Sequence, residues 1–168
     1  LYQDHQQGLW LALDHGLSRI DLSSALSYYN DANGLFGNVL ALYQHQNQLY
    51  AGTSLGLYRR NKLNRFEAIT QIEKQTWDFI SFADQLLIAN SNGVYAMQNQ
   101  QIQLLRPSEL ASKVLYQSVS NPQRIFIGLQ DGLASMRFDN GIWHDEGRVP
   151  GVGGNLNSML ETADGHLW

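Results

Sequence analysis

The sequence predicts an all-β fold, a β-propeller built of about four four-stranded antiparallel blades, and three observations carry that prediction. The first is a phrase written four times: an apolar strand with a small residue at its fourth position, a tight turn, a Gly and a second strand. Its copies open at Leu9, Leu49, Leu86 and Ile125, and the phrase opens again at Leu167-Trp168. The second is the spacing of those starts, 40, 37, 39 and 42 residues, close to one blade per period. The third is the alternation of apolar and polar residues between turn signals, which marks short strands and leaves room for four of them in each period.

The elements follow in order. In the first repeat, 1–38, the motif strand runs over 9–13, and an outer fourth strand is expected near 25–29. The second repeat, 39–77, is the clearest, with strands over 39–43, 49–53, 57–60 and 66–70, a polar turn at 45–48 and another turn at 61–64. The third repeat, 78–113, opens with a strand at 78–82 and closes with one at 102–105. The fourth, 114–155, does so with 114–118 and 142–144, and a fifth, 156–168, opens with a strand at 156–160. Gly16, Gly56, Gly93 and Gly132 are expected to supply a positive φ within the hairpin turns, with Asn92-Gly93 and Asp131-Gly132 the strongest turn pairs and Leu55-Gly56 the weakest. Pro107-Ser108-Glu109 is expected to start a single helical turn.

The motif also predicts how blades stack. Its fourth position is Ala12, Gly52, Ala89 and Gly128, always small, as required where neighbouring sheets converge near an axis. Its second position is Trp10, Tyr50, Leu87, Phe126 and Trp168, large residues that alternate to the same face and are expected to fill the wider gap between blades. Leu1 and Trp168 both fall inside repeats, so the chain is expected to be one segment of a longer polypeptide.

Composition excludes several classes. A net charge of −4, with Lys and Arg scattered except at Arg59-Arg60, offers no phosphate-neutralising stripe, so no nucleic-acid partner is expected. The absence of cysteine removes disulfides, thiol catalysis and zinc ribbons. No apolar run approaches the ~20 residues needed to cross a bilayer, so no direct membrane insertion is expected of this segment. The five histidines, His5, His15, His45, His144 and His166, lie at turns or on an outer strand and read as solvent-exposed, with no metal site and no cofactor expected.

No catalytic constellation emerges. Asp139, Asp145 and Glu146 cluster near Trp143 and His144 and give a carbohydrate-active enzyme as an alternative, but Asp139-Asn140-Gly141 reads as a turn and paired acids need a fixed separation. Binding fits better on the face formed by the connections between blades, 28–38, 71–77, 106–113 and 147–155. These supply Tyr28, Tyr29, Trp77 and Arg106 as candidates for stacking or charge-assisted hydrogen bonds with an oligosaccharide or other small polar ligand.

The segments Gly8-Leu9-Trp10-Leu11-Ala12-Leu13-Asp14-His15-Gly16-Leu17-Ser18-Arg19-Ile20-Asp21 and Asn157-Ser158-Met159-Leu160-Glu161-Thr162-Ala163-Asp164-Gly165-His166-Leu167-Trp168 resemble the two-component regulator propeller repeat. Its pattern runs roughly NSI-xxE-DxxGxLWIGTxxGLxRFD. Gly151-Val152-Gly153-Gly154-Asn155 and the stretch 30–39 are similar to the glycine-containing lead-in of that repeat, and the likeness is weakest at Leu87-Ile88-Ala89-Asn90. The resemblance implies a non-catalytic piece of a ring of about seven blades, in the periplasmic sensor region of a bacterial membrane receptor. It implies a histidine kinase, hybrid kinase or diguanylate cyclase as the output on the cytoplasmic side, and oligosaccharides as one class of signal. The remaining blades of the parent ring, and a second copy of the chain through self-association, are then the expected partners. A scaffold or dimerisation propeller without a small ligand is the alternative.

Overall fold

The computed structural model describes residues 2–3, 5, 8–13, 15–21 and 27–168. Strands β1 (Tyr2–Gln3), β2 (Gly8–Leu13) and β3 (Gly16–Asp21) form a three-stranded sheet. Three four-stranded sheets follow. The second sheet holds β4 (Val39–His45), β5 (Gln48–Thr53), β6 (Gly56–Arg60) and β7 (Phe66–Glu73), and the third holds β8 (Thr76–Phe82), β9 (Gln85–Asn90), β10 (Gly93–Gln98) and β11 (Gln101–Pro107). The fourth holds β12 (Ser112–Gln117), β13 (Arg124–Leu129), β14 (Gly132–Asp139) and β15 (Ile142–Arg148). Every sheet is an antiparallel meander with strands in chain order, and the architecture is propeller-like.

Turn chemistry selects two kinds of hairpin. At Gln46-Asn47, Asn99-Gln100 and Asn140-Gly141 both turn residues have positive φ, the twist-matched geometry that Asn and Gly tolerate. The motif hairpins are different, and the expectation that the motif Gly sits within the turn is corrected. The register pairs Thr53 with Gly56, Asn90 with Gly93 and Leu129 with Gly132, so the turns are Ser54-Leu55, Ser91-Asn92 and Gln130-Asp131, none of which has positive φ. Each Gly follows its turn and opens the third strand. Gly56 has φ +142° and Gly132 φ +150°, and a Cβ on either would lie 2.7 Å from a backbone carbonyl oxygen, of Ile72 and Val152 respectively. Glycine is needed there because the outer strand or the following connection passes directly over it.

Alternation along the strands builds the cores between sheets. One face of the third sheet gives Phe79, Leu86, Ile88 and Met97, which pack with Tyr50, Leu57 and Ile72 of the second sheet. The opposite face gives Phe82, Leu87, Ala89, Val94 and Ala96, which pack with Leu115, Ile125, Ile127, Leu129, Ala134 and Met136 of the fourth. The far face of the second sheet, at Ala51, Tyr58 and Phe66, is covered by Leu35 and Tyr29 of the preceding connection. Strands β4, β8 and β12 run side by side as the inner strands. Gly52 shows why the motif's fourth position is small: a Cβ there would lie 2.5 Å from the carbonyl oxygen of Thr76 at the start of the next inner strand.

Several expectations need correction. Among the described residues the first sheet has three strands, and of the expected fourth strand at 25–29 residues 27–29 are not in a strand, while 25 and 26 lie outside the described residues. The stretch 156–160 is not a ladder strand: the chain from 156 instead lies along the far face of the fourth sheet and turns back through a single bridge, Glu161 to Leu167. Pro107 closes β11 with a bend after it, so no helical turn starts there; a single 3-10 turn forms at Asp31–Asn33, where Asn30 caps it by accepting from Ala32 N. His45 is buried, not solvent-exposed, because its Nδ1 lies 2.8 Å from Ser81 Oγ across the junction of the second and third sheets. His5, His15, His144 and His166 are exposed.

Candidate functional site

Equivalent positions on the inner strands converge at one end of the stacked sheets. Each inner strand opens with an irregular pairing, at Val39/Ala41, Thr76/Asp78 and Ser112/Val114, so the residue between, Leu40, Trp77 or Lys113, is left out of register with its neighbour strand. Trp77 and Lys113 thereby meet in a cleft of about 470 Å³, closed around by Lys74 and Gln75 before β8, Ser91 and Gln130 from the motif turns, and Glu109 and Asn155 from the connections.

The Trp77 ring is held from both sides. Its Nε1 donates to Ser91 Oγ at 3.4 Å, and Ser91 Oγ donates to Gln75 Oε1 at 3.0 Å. The Asn90 amide donates to Thr76 Oγ1 and to the Glu73 and Lys74 carbonyls, while Asn90 Oδ1 accepts from Asn92 N and so caps the Ser91-Asn92 turn. The fourth sheet has Leu129 and Ser112 at the corresponding places, and the buried Ser112 hydroxyl has no hydrogen-bond partner among the described residues. Lys113 Nζ sits 4.9 Å from the centre of the Trp77 ring and donates to Asn155 Oδ1 at 3.0 Å and Asn157 Oδ1 at 2.7 Å. Lys74 Nζ donates to Asn92 Oδ1 at 2.9 Å. The cleft therefore offers an aromatic ring, amide groups and two cations.

The four candidates read from the sequence are not brought together. Trp77 lines the cleft. Arg106 is buried between the third and fourth sheets, where its Nε pairs with Asp145 Oδ1 at 3.2 Å. Tyr29 lies edge-on to Phe66, 5.3 Å between ring centres, and its hydroxyl accepts from Arg60, so it belongs to the core on the far face of the second sheet. Tyr28 is exposed and lines no part of the cleft. Lys74, Gln75, Lys113 and Asn155 lie within the connections read from the sequence as the binding face but were not singled out there, and Ser91 and Gln130 lie outside those connections. The one available signal was register, since aligning the inner strands places Lys113 at the position of Trp77.

The acids near Trp143 are committed to structure. Asp145 is engaged by Arg106 and by Gly147 N. Glu146 accepts from Arg124 and Ser135 and lies 3.7 Å from Arg137. The hydrogen bonds from Arg124 hold its carboxyl below the usual range, which disfavours it as a proton donor. Trp143 packs on Phe82 and Phe138, with ring centres 4.9 and 5.0 Å away, and donates to Gln85. Among the described residues no group of three or more His, Asp or Glu side chains is placed to hold a metal ion, and no helix is long and apolar enough to cross a membrane.

No family model matches the chain, and no curated protein matches it. Among solved structures, the chain is similar to two crystal structures of the extracellular domain of BT4673 from B. thetaiotaomicron. That protein is named as a hybrid two-component system in one and as a one-component system in the other. The TM-scores are 0.66 and 0.64 at 19% identity, over 96% of this chain. The chain spans about a quarter of those domains, 24% of their length. At this identity the likeness is one of fold.

Proposed function

We propose that this chain is a sensory, ligand-binding segment of an extracytoplasmic propeller in a bacterial signalling receptor of the two-component type, and that it performs no catalysis itself. The observation that carries the reading is the cleft at the converging ends of the inner strands. It is built around Trp77, on a propeller-like fold whose solved neighbours are extracellular domains of a two-component system. Its amide groups and aromatic ring suit an oligosaccharide or other small polar ligand: rings with apolar faces stack on indole, and hydroxyls exchange hydrogen bonds with amides. The resemblance of the sequence to the two-component regulator propeller repeat supports a periplasmic location, a parent ring of about seven blades and a kinase or cyclase output. The remaining blades of that ring are then partners of this segment.

Isothermal calorimetry on the full-length protein tests the reading with a panel of neutral and acidic oligosaccharides. Trp77→Ala is expected to weaken binding of whichever member is recognised by about tenfold or more, the worth of one aromatic stacking contact and the packing around it. Binding unaffected by this change would place the ligand elsewhere. The absence of binding by every member would favour the scaffold reading, in which the propeller only joins receptors.

A further inference from the structure

We infer that the cleft around Trp77 selects ligands carrying a carboxylate, with Lys113 as the residue that reads the charge. The inference rests on the ligand-binding reading above and goes beyond it by naming the charge of what is bound.

The chain as a whole carries a net charge of −4, yet this cleft contains two lysines and one glutamate among its lining residues. Among the described residues neither lysine hydrogen-bonds a carboxylate. Lys74 is held by the amide oxygen of Asn92, and Lys113 by the amide oxygens of Asn155 and Asn157, with the Trp77 ring on its remaining side. Three carboxylates of the fourth sheet are treated differently: Asp131, Asp145 and Glu146 are each paired with an arginine within 3.2 Å. Two ammonium groups positioned by neutral amides in a concave site are cations held in place without being neutralised.

A carboxylate is a better partner for an ammonium than an amide oxygen, because its full negative charge adds Coulomb attraction to a hydrogen bond that the ammonium already strengthens. An incoming acid would therefore exchange with an amide on Lys113 at a gain, whereas a hydroxyl would exchange at no gain. The amide oxygens have a second purpose: they fix the ammonium beside the ring, so little side-chain entropy is lost when the anion arrives. Lys74, with one amide contact and an exposed side chain, adds longer-range attraction that salt should screen.

The experiment compares three probes on the full-length protein by calorimetry: cellobiouronate, cellobiose, which differs from it by a hydroxymethyl in place of the carboxylate, and succinate, a carboxylate without a sugar ring. One or both acids are expected to bind at least about tenfold more tightly than cellobiose, and the preference should shrink as salt is raised from 20 to 300 mM. Lys113→Gln should abolish that preference, and Lys113→Arg should restore most of it. An acid preference carried by cellobiouronate assigns a sugar acid, and one carried by succinate a small carboxylic acid. Cellobiose binding that is lost in Trp77→Ala with no preference for either acid overturns this inference and leaves the ligand-binding reading standing. No binding by any of the three probes, or an acid preference that survives Lys113→Gln, overturns the inference as well. Thermal melts of the variants, expected to match the parent because Lys113 is only half-buried, exclude loss of fold as the cause.

Discussion

Asp78 and Glu161 both accept backbone hydrogen bonds across a sheet boundary, and they titrate in opposite senses. Asp78 Oδ2 accepts from Leu115 N at 2.8 Å, tying two inner strands together, but its burial pushes the carboxyl above the usual range more than the hydrogen bonds from Leu115 and Phe79 pull it down. Glu161 accepts from the Ser120 and Ser118 hydroxyls and from Val119 and Ser120 N, and the Ser120 hydroxyl leads in holding its carboxyl below the usual range. A carboxyl lowered in the fold contributes stability above the ordinary value of about 4.3 and loses it as pH falls through the folded value. A raised carboxyl does the reverse: its ionisation costs stability at neutral pH, and the cost is relieved as pH falls through the raised value. The melting temperature of the parent minus that of Glu161→Gln should therefore be largest at pH 7 and shrink on acidification. The parent minus Asp78→Asn should be smallest at pH 7 and grow. Difference curves of the same slope would contradict one of the two assignments.

At the scale of the strand, the small fourth position of the motif has two physical forms. At Gly52 the neighbour is backbone, the Thr76 carbonyl, which belongs to an inner strand and cannot retreat. At Gly128 the neighbours are the Leu156 and Val114 Cβ atoms at 3.1 and 3.2 Å, which need to yield only a few tenths of an ångström. Gly52→Ala is accordingly expected to destabilise by about 3 kcal/mol, the upper range for overpacking, and Gly128→Ala by about 1 kcal/mol or less. Urea denaturation of both variants measures the two costs, and equal values would show that the sheets do not converge as described. The position was legible as small from the repeats alone. Its strictness was not, because it depends on whether backbone or side chain lies opposite.

At the scale of the molecule, stacked sheets that each pack only on their neighbours leave a flank at the end of the stack. Beyond the fourth sheet, Phe126, Leu133, Val152, Leu156, Leu167 and Trp168 line an apolar cleft of about 300 Å³, and Trp168 is 78% exposed. An apolar surface of this kind favours association. The 168-residue chain is expected to show a weight-average mass that rises with concentration in light scattering, and Trp168→Ser should reduce the rise. A mass that stays monomeric at every concentration would mean that the flank is covered in solution.

The four-stranded sheets between residues 39 and 148, their strand order and the period of the stack were determined by the sequence alone, because alternation, turn residues and the recurrence of the motif act over a few neighbouring residues. Tertiary structure decided which side chains meet. Trp77, Ser91, Lys113, Gln130 and Asn155 come from three repeats and share a cleft only because the inner strands converge. Arg106 could look free in the sequence because Asp145, the charge that holds it, arrives from the next sheet. His45 is buried for the same reason, its partner Ser81 lying one repeat away. Local chemistry writes the strands, whereas charge pairing, burial and the contents of the cleft depend on distances between sheets that no local pattern encodes.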